Sequence, residues 1–350
     1  MVGSIEIQGR RIGPGKPAFI VAELSANHGQ KFENAVELIH AAREAGADAV
    51  KLQTYTPDTL TFDSDKDYFQ INDASVWSCQ SLYQLYSQAF TPWEWQPKLK
   101  AVAEELGFPL FSTAFDGLSV DFLETMNVSV HKIASCEIVD LPLIRRVAAT
   151  GKPLILSTGM ATLTEIEAAV TTARTAGARQ LMLLKCTSGY PAAPEDMNLR
   201  TIPDLAERFE VPVGLSDHTL GTAVPIAAVT LGATLVEKHL TLSRAAGGPD
   251  SGFSLEPGEF KLMVEGIRTA ELARGEVCYG PVPCDSRNLQ FRRSLFVVED
   301  LKAGSELNAQ NVRSIRPAAG LSPQYYDQVL GRRVLRDVER GTPLSWDLIG

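Results

Sequence analysis

Cysteine is scarce in this 350-residue chain: Cys79, Cys136, Cys186, Cys278 and Cys284 are odd in number, scattered, and form no CxxC pair. A disulfide scaffold is excluded, and the five read as reduced thiols in a reducing compartment. Clustered Lys and Arg are missing from a chain of net charge −9, so nothing provides the phosphate neutralisation that nucleic-acid binding requires. No segment approaches the roughly 18 consecutive apolar residues of a membrane span. Met1 to Gly15 is polar and lacks a signal peptide's apolar stretch, so the expected location is the cytoplasm. No GxGxxG follows the first apolar run, which speaks against an open doubly wound sheet.

What is present is an ordinary globular composition, 45% hydrophobic and 21% charged, long enough for a large barrel with an appendage. Eight short apolar runs without period-2 alternation read as strands buried on both faces: Ala18–Ala22, Ala47–Leu52, Pro109–Phe111, Val130–Ile133, Pro153–Leu156, Leu181–Leu184, Val211–Leu215 and Thr234–Val236. Helical patterns lie between or after them at Asn34–Ala45, Trp93–Glu105, Leu163–Thr175, Thr222–Leu231 and Pro257–Arg274. Alternation of this kind predicts an α/β chain with a (β/α)8 TIM barrel over residues 1–277. Gln53 to Thr91 is too long for an ordinary βα loop and reads as a substrate-shaping insertion. Residues 278–290 read as a linker and 291–350 as a small separate module. That module carries a weak pseudo-repeat, Asp300-Leu301-Lys302-Ala303-Gly304 and Asp337-Val338-Glu339-Arg340-Gly341.

Chemistry gathers at one end of the strands, where barrel enzymes build their sites. The runs lead into Glu23 and on to Asn27-His28; Gln53; Ser112-Thr113; Ser135-Cys136-Glu137; Ser157; Lys185-Cys186-Thr187-Ser188; Ser216-Asp217-His218; and Glu237-Lys238-His239. Lys51 and Lys132 lie within apolar strands and need an anionic partner. With Thr113, Ser135, Ser157, Ser188 and Ser216 they form a donor-rich cup suited to a phosphate or carboxylate, although each hydroxyl alone could instead cap the following helix. His218 and His239 end neighbouring strands, and two imidazoles without cysteine suit a divalent ion such as Mn2+, and less tightly Mg2+. Glu23, Glu137, Glu237 and Asp250 are candidate acid–base carboxylates, with Asp250 equally readable as a turn residue. His28 reads as structural. Cys136 and Cys186 have no histidine beside them in sequence and read as small core thiols.

Several strings resemble the sialic acid synthase family: Ala22-Glu23-Leu24-Ser25-Ala26-Asn27-His28, Lys51-Leu52-Gln53-Thr54, Lys132-Ile133-Ala134-Ser135, Leu156-Ser157-Thr158-Gly159-Met160, Gly214-Leu215-Ser216-Asp217-His218 and Glu237-Lys238-His239. The tail is similar to that family's antifreeze-like (SAF) domain through Arg316-Pro317 and Leu330-Gly331. Gln53-Thr54-Tyr55-Thr56-Pro57-Asp58, Leu82-Tyr83-Gln84-Leu85-Tyr86, Thr91-Pro92-Trp93-Glu94-Trp95 and Ser188, followed by Gly189-Tyr190-Pro191, resemble the pseudaminate branch. The resemblance implies metal-dependent condensation of phosphoenolpyruvate with an acylamino-sugar aldehyde. It implies that Lys51, Thr113, Lys132, Ser135, Ser157, Ser188 and Ser216 hold phosphoenolpyruvate, with Asn27, Gln53, Tyr190 and Asp250 as further substrate contacts. His218 and His239 would hold Mn2+ or Mg2+, and Glu23, Glu137 and Glu237 share proton work that the sequence does not apportion. Arg316, otherwise an ordinary surface arginine, would reach a partner's barrel in a domain-swapped homodimer. Tyr83, Tyr86, Trp93 and Trp95 are candidates for a wall around the sugar's C6 methyl, with helix packing the reading for at least two of them. A neuraminate or legionaminate synthase is the alternative, sharing the phosphoenolpyruvate site. A non-catalytic periplasmic binder would need a signal peptide, and an ice-binding protein would need no buried lysines.

Overall fold

A computed structural model describes residues 2–72 and 77–350. They fall into two compact units, Met1–Gly275 and Glu276–Gly350. In the first, eight parallel strands close in sequential order: β1 (Phe19–Glu23), β2 (Ala49–Thr54), β3 (Leu110–Ala114), β4 (His131–Ile133), β5 (Leu154–Ser157), β6 (Leu181–Cys186), β7 (Val213–Asp217) and β8 (Leu235–His239), with β8 paired onto β1. Each expected apolar run is a barrel strand. Most strands extend further than their apolar runs, so Glu23, Gln53, Thr113, Ser157, Cys186, Ser216, Glu237 and His239 belong to the strands themselves. The backbone ladder continues along these polar residues.

Each strand is followed by a helix: α1 (Phe32–Glu44), α2 (Gln96–Glu105), α3 (Gly117–Thr125), α4 (Leu141–Ala148), α5 (Leu163–Thr175), α6 (Thr201–Phe209), α7 (Ala223–Thr230) and α8 (Pro257–Arg274). The sequence pattern does not single out α3, α4 and α6, which are short. Two of them also carry a proline near the N-terminus, where its missing N–H is harmless. Helix α4 still buries Leu143, Ile144, Val147 and Ala148 while exposing Arg145 and Arg146. Helix α2 starts at Gln96 rather than Trp93 because Pro97 opens its first turn.

An N-terminal hairpin, Ile5–Ile7 with Arg10–Ile12, covers one end of the barrel. It meets the residues that precede strands: Glu6 N donates to Gln180 Oε1 (2.6 Å), Gly3 N to Glu210 O (3.4 Å), and Arg10 pairs with Asp48. Ile5, Ile7 and Ile12 are buried there in the main core. The opposite end carries the insertion between β2 and α2, a short helix Pro57–Leu60, a small hairpin Gln70–Ile71 with Gln80–Ser81, and a helix Leu82–Ala89.

The second unit has its own core around Leu295, Val297, Leu307, Val312, Val329, Val334 and Leu344. Strands β9 (Ser294–Val297) and β10 (Val312–Ile315) pair antiparallel. The pseudo-repeat is a reciprocal pairing. Leu301 and Val338 exchange both backbone hydrogen bonds at 2.8 Å. Asp300 Oδ1 accepts from Arg340 N (2.8 Å), and Asp337 Oδ1 accepts from Ala303 N (2.9 Å). Each aspartate thus ties down the third residue after the other aspartate. Gly304 (φ 83°) and Gly341 (φ 88°) supply the left-handed turn each half needs.

Outside the barrel lumen, Lys238 Nζ lies 2.6 Å from Asp217 Oδ2, and both side chains are fully buried. Lys238 also donates to the Thr219 carbonyl, and Asp217 Oδ1 accepts from Thr219 N (3.1 Å) and Oγ1 (2.9 Å). Removing one partner strands the other's charge. Lys238→Met is expected to cost about 3–5 kcal/mol in urea unfolding, and the double variant with Asp217→Asn to recover much of that loss. Equal losses in the single and double variants would show that packing, not the ion pair, matters.

Candidate active site

The strands' C-terminal ends and the insertion enclose one cavity of about 760 Å³. Glu23, Lys51, Gln53, Thr113, Lys132, Ser135, Glu137, Ser157, Ser188, Tyr190, Ser216, His218, Glu237, His239 and Asp250 all line it. Strand periodicity sets their depth. Lys51, Gln53 and Tyr55 occupy alternate positions on and just beyond β2, so they step outward along one face over about 13 Å. The same alternation turns Thr113 inward, while Ser112 bonds outside the lumen to Thr54 Oγ1 (2.6 Å), which donates to Gln96 Oε1 (2.8 Å).

At the floor, Lys51 pairs with Glu23 and lies 3.5 Å from Glu237 Oε1, and it donates to Thr113 Oγ1 (2.8 Å). Four consecutive strands, β8, β1, β2 and β3, therefore meet at one ammonium. Burial disfavours its charge, but the two carboxylates outweigh this and raise its pKa. Burial raises the Glu23 pKa despite Lys51. For Glu237 burial is outweighed by Lys132 and Lys51, so it stays ionised, and Ser216 Oγ donates to it (3.2 Å). Lys132 differs: it donates to the Ile133 carbonyl (3.1 Å), and burial lowers its pKa against the pull of Glu237.

The hydroxyls of this cup are not helix caps. Asp116, Asp140 and Thr162 cap α3, α4 and α5 with their side chains, and Arg200 and Thr222 occupy the cap positions of α6 and α7. Among the described residues, Ser157 Oγ and Ser188 Oγ are buried without a hydrogen-bond partner, as is Glu137 Oε2. Ser135 Oγ accepts from Gly159 N (3.0 Å). A Cβ on Gly159 would lie 2.6 Å from Ser188 Oγ and 2.7 Å from Ser135 Oγ, so only glycine leaves this cradle open. Burial pushes the Glu137 carboxyl up to about 7, against Lys132.

His218 and His239 stand with ring centroids 5.3 Å apart. His218 Nδ1 is 2.9 Å from the Thr187 carbonyl, which only accepts, so Nδ1 carries a proton and the lone pair of the neutral ring is on Nε2. His239 Nδ1 is 3.2 Å from Ser25 Oγ. Outer partners on Nδ1 are what a metal-binding imidazole uses to fix its orientation, and the pair fits a divalent ion as a partial donor set. Among the described residues no group of three or more His, Cys, Asp or Glu side chains is placed to hold a metal ion. Cys186 Sγ lies 3.9 Å from His218 Nδ1 and lines the cavity, a neighbour invisible in the linear sequence. Burial opposes its ionisation, but His218 brings its pKa down to about 7.

The remaining assignments differ in placement. Asn27 is not in the cavity lining; its amide donates to Leu240 O (2.9 Å) and Ser254 Oγ (2.8 Å). Arg316 is exposed on the second unit. His28 is buried, accepts from Gln30 N (3.1 Å) and meets Thr91 Oγ1 (3.2 Å), and burial lowers its pKa to about 4. Asp250 Oδ2 accepts from Ala26 N (3.3 Å), and burial raises its pKa. Of the four aromatics, only Tyr86 lines the cavity. Tyr83 donates to Asp58 (3.1 Å), Trp93 stacks on Phe122, and Trp95 packs on His28 and Phe32. Residues that sequence reasoning left without a role are Ser25, Gly159, Tyr55, Phe115, Trp77 and Phe253. Ser25 has φ 39°, and its N–H donates to Glu23 Oε1 (2.9 Å) while its hydroxyl meets His239. Phe253 packs at 5.0 Å from His239 and 5.1 Å from Tyr190.

Known proteins match this architecture along the chain. The chain is 45% identical over 334 residues to the pseudaminic acid synthase of Helicobacter pylori, covering 95% of this chain and 98% of that one. It is 38% identical to the N,N'-diacetyllegionaminic acid synthase of Legionella pneumophila, covering 96% of each. The crystal structure of an N-acetylneuraminic acid synthetase from Leptospira borgpetersenii superposes with a TM-score of 0.72 at 31% identity, covering 83% of this chain and 97% of that one. The SAF domain matches residues 292–350 and the NeuB family matches residues 38–279, and the chain belongs to the NeuB family.

Proposed function

We propose that this chain condenses phosphoenolpyruvate with 2,4-diacetamido-2,4,6-trideoxy-L-altrose and water, giving pseudaminate and phosphate. The observation that carries this reading is the floor of the cavity. Lys132 has no carboxylate within ion-pair distance among the described residues, and the hydroxyls of Ser157 and Ser188 are unpaired around the Gly159 cradle. A phosphate or carboxylate supplies the acceptors these donors lack. The higher identity to a pseudaminic than to a legionaminic acid synthase supports the sugar.

Lys132, Thr113, Ser135, Ser157, Ser188 and Ser216 orient the anion, and Lys51 fixes Glu23 and Glu237 beside it. Carbon 3 of phosphoenolpyruvate attacks the aldehyde carbon, and the new alkoxide takes a proton. Water adds at carbon 2 and gives up a proton; the carbon 2–oxygen bond to phosphate then breaks as the new hydroxyl's proton passes to the departing phosphate, leaving a ketone. His218 and His239 would hold Mn2+ or Mg2+, which when bound polarises the aldehyde carbonyl. Glu137, with a pKa of about 7, exchanges protons readily at neutral pH. Asn27 acts by bracing the loop after β8, and Arg316 belongs to a proposed domain-swapped cytoplasmic homodimer in which it reaches the partner's sugar site.

Phosphate release with phosphoenolpyruvate and Mn2+ tests the reading. Release is expected with the trideoxy diacetamido sugar, to be lost with EDTA, and to be weak or absent with N-acetylmannosamine. Release with N-acetylmannosamine alone would transfer the assignment to a neuraminate synthase.

Glu137→Gln is expected to lower kcat about a hundredfold with little change in the KM for phosphoenolpyruvate. It also changes stability with a defined sign. Below pH 4.5 the carboxyl is neutral in both states. As pH rises to about 7 the unfolded chain loses this proton first, so the stability of the buried neutral form is lost. The variant's stability relative to the parent should therefore grow by up to about 3 kcal/mol across that window, read by urea unfolding at several pH values. A difference independent of pH would show that Glu137 titrates normally.

A further inference from the structure

The apolar side of the cavity has no part in the chemistry above. It comes from the insertion. In the helix Leu82–Ala89, residues 82, 85, 86 and 89 fall on one face at helical spacing, and all four line the cavity. Leu60 and Ile71 from the same insertion join them. A capping box, Ser81 with Gln84, fixes the start of this helix, and Leu85 and Ala89 are buried. Tyr86 packs at 5.7 Å on Tyr55, which stands at the outer end of the Lys51–Gln53–Tyr55 ladder. The wall therefore lies toward the mouth, away from the lysine floor.

Resting on the function proposed above, we propose that this helix face selects the sugar by its apolar terminus. It receives the methyl group of a 6-deoxy sugar and disfavours a hydroxymethyl at that position. The reacting carbonyl must lie near the floor and the histidines, so the end of the open-chain sugar remote from the aldehyde extends toward the mouth. Leu60, Ile71, Leu82, Leu85 and Ala89 offer that end no side-chain hydrogen-bonding group. Among the described residues, a hydroxyl placed against these five side chains, away from the Tyr86 hydroxyl on the same face, gives up its water without a partner, whereas a methyl loses nothing and buries apolar area. The acylamino groups have separate partners available, since the carboxamides of Gln53, Gln70 and Asn72 also line the cavity.

The test compares kcat/KM for the 6-deoxy diacetamido sugar and its 6-hydroxy counterpart. The unaltered enzyme should favour the deoxy sugar about 10- to 100-fold, the range an apolar pocket achieves for such a change. Leu85→Asn should narrow the ratio to within about threefold while the KM for phosphoenolpyruvate is unmoved, which also reports an intact floor. Leu82→Asn, at a half-buried position that carries less packing, is the second variant and should narrow it as well. A ratio unchanged in both variants, or no preference in the unaltered enzyme, overturns the proposal while leaving the synthase reading intact. Turnover of neither diacetamido sugar, with N-acetylmannosamine accepted, overturns the synthase reading and this proposal together.

Discussion

A single ammonium group organises the barrel's catalytic end. Lys51 sits where four consecutive strands converge, paired with Glu23 of β1, near Glu237 of β8 and bonded to Thr113 of β3. Isolated in a dry barrel, each of these charges would be costly; together they satisfy one another. The arrangement also has a chemical consequence. Lys51 is largely spent on the carboxylates, so the cation left to meet an incoming anion is Lys132, which among the described residues bonds only the Ile133 carbonyl and feels Glu237 from beyond ion-pair distance. Ligand binding then completes a polar cluster that folding left partly unsatisfied, which is how a binding site differs from a core.

Of the four lysines on the barrel strands, Lys51, Lys132, Lys185 and Lys238, parity along the strand decides which enter the lumen. Lys51 and Lys132 project into the lumen. Lys238 lies between Glu237 and His239, both cavity residues, and so projects the other way, into a closed pair with Asp217. An apolar run containing one lysine does not reveal which face the lysine takes. The register against neighbouring strands does, because it fixes which residues share a level: Asp217 is opposite Lys238, and Ser216 is opposite Glu237.

Much of the barrel and its chemistry was readable from residue order alone. Parallel strands buried on both faces must be continuous apolar runs, and the polar residues at their ends stand out against that background. The short helices α3, α4 and α6 do not stand out in the sequence: each spans only eight or nine residues, and α4 and α6 also carry an early proline. The Gly159 cradle was also hidden. Its function is the absence of a side chain between Ser135 and Ser188, and those serines meet only once β4, β5 and β6 are side by side. The aromatic cluster divides as its two readings allow: Tyr86 lines the cavity, whereas Trp93 and Trp95, close to it in sequence, pack on Phe122 and Phe32.

The cavity divides its tasks between two kinds of structure. Most groups that handle charge or protons hang from barrel strands or from the first residues beyond them, where neighbours on both sides hold each backbone in place. Proton transfer and anion alignment need placement within fractions of an ångström, and a closed ladder provides it. The wall comes from an inserted segment held by a capping box and a few ring contacts. Apolar selection tolerates coarser placement, since burial is non-directional and scales with area. A fold built this way can exchange its wall without disturbing the ladder that positions Lys51 and Lys132. Sugar choice and carbon–carbon bond formation are thus physically separable in one cavity, and the insertion between β2 and α2 is where the separation is made.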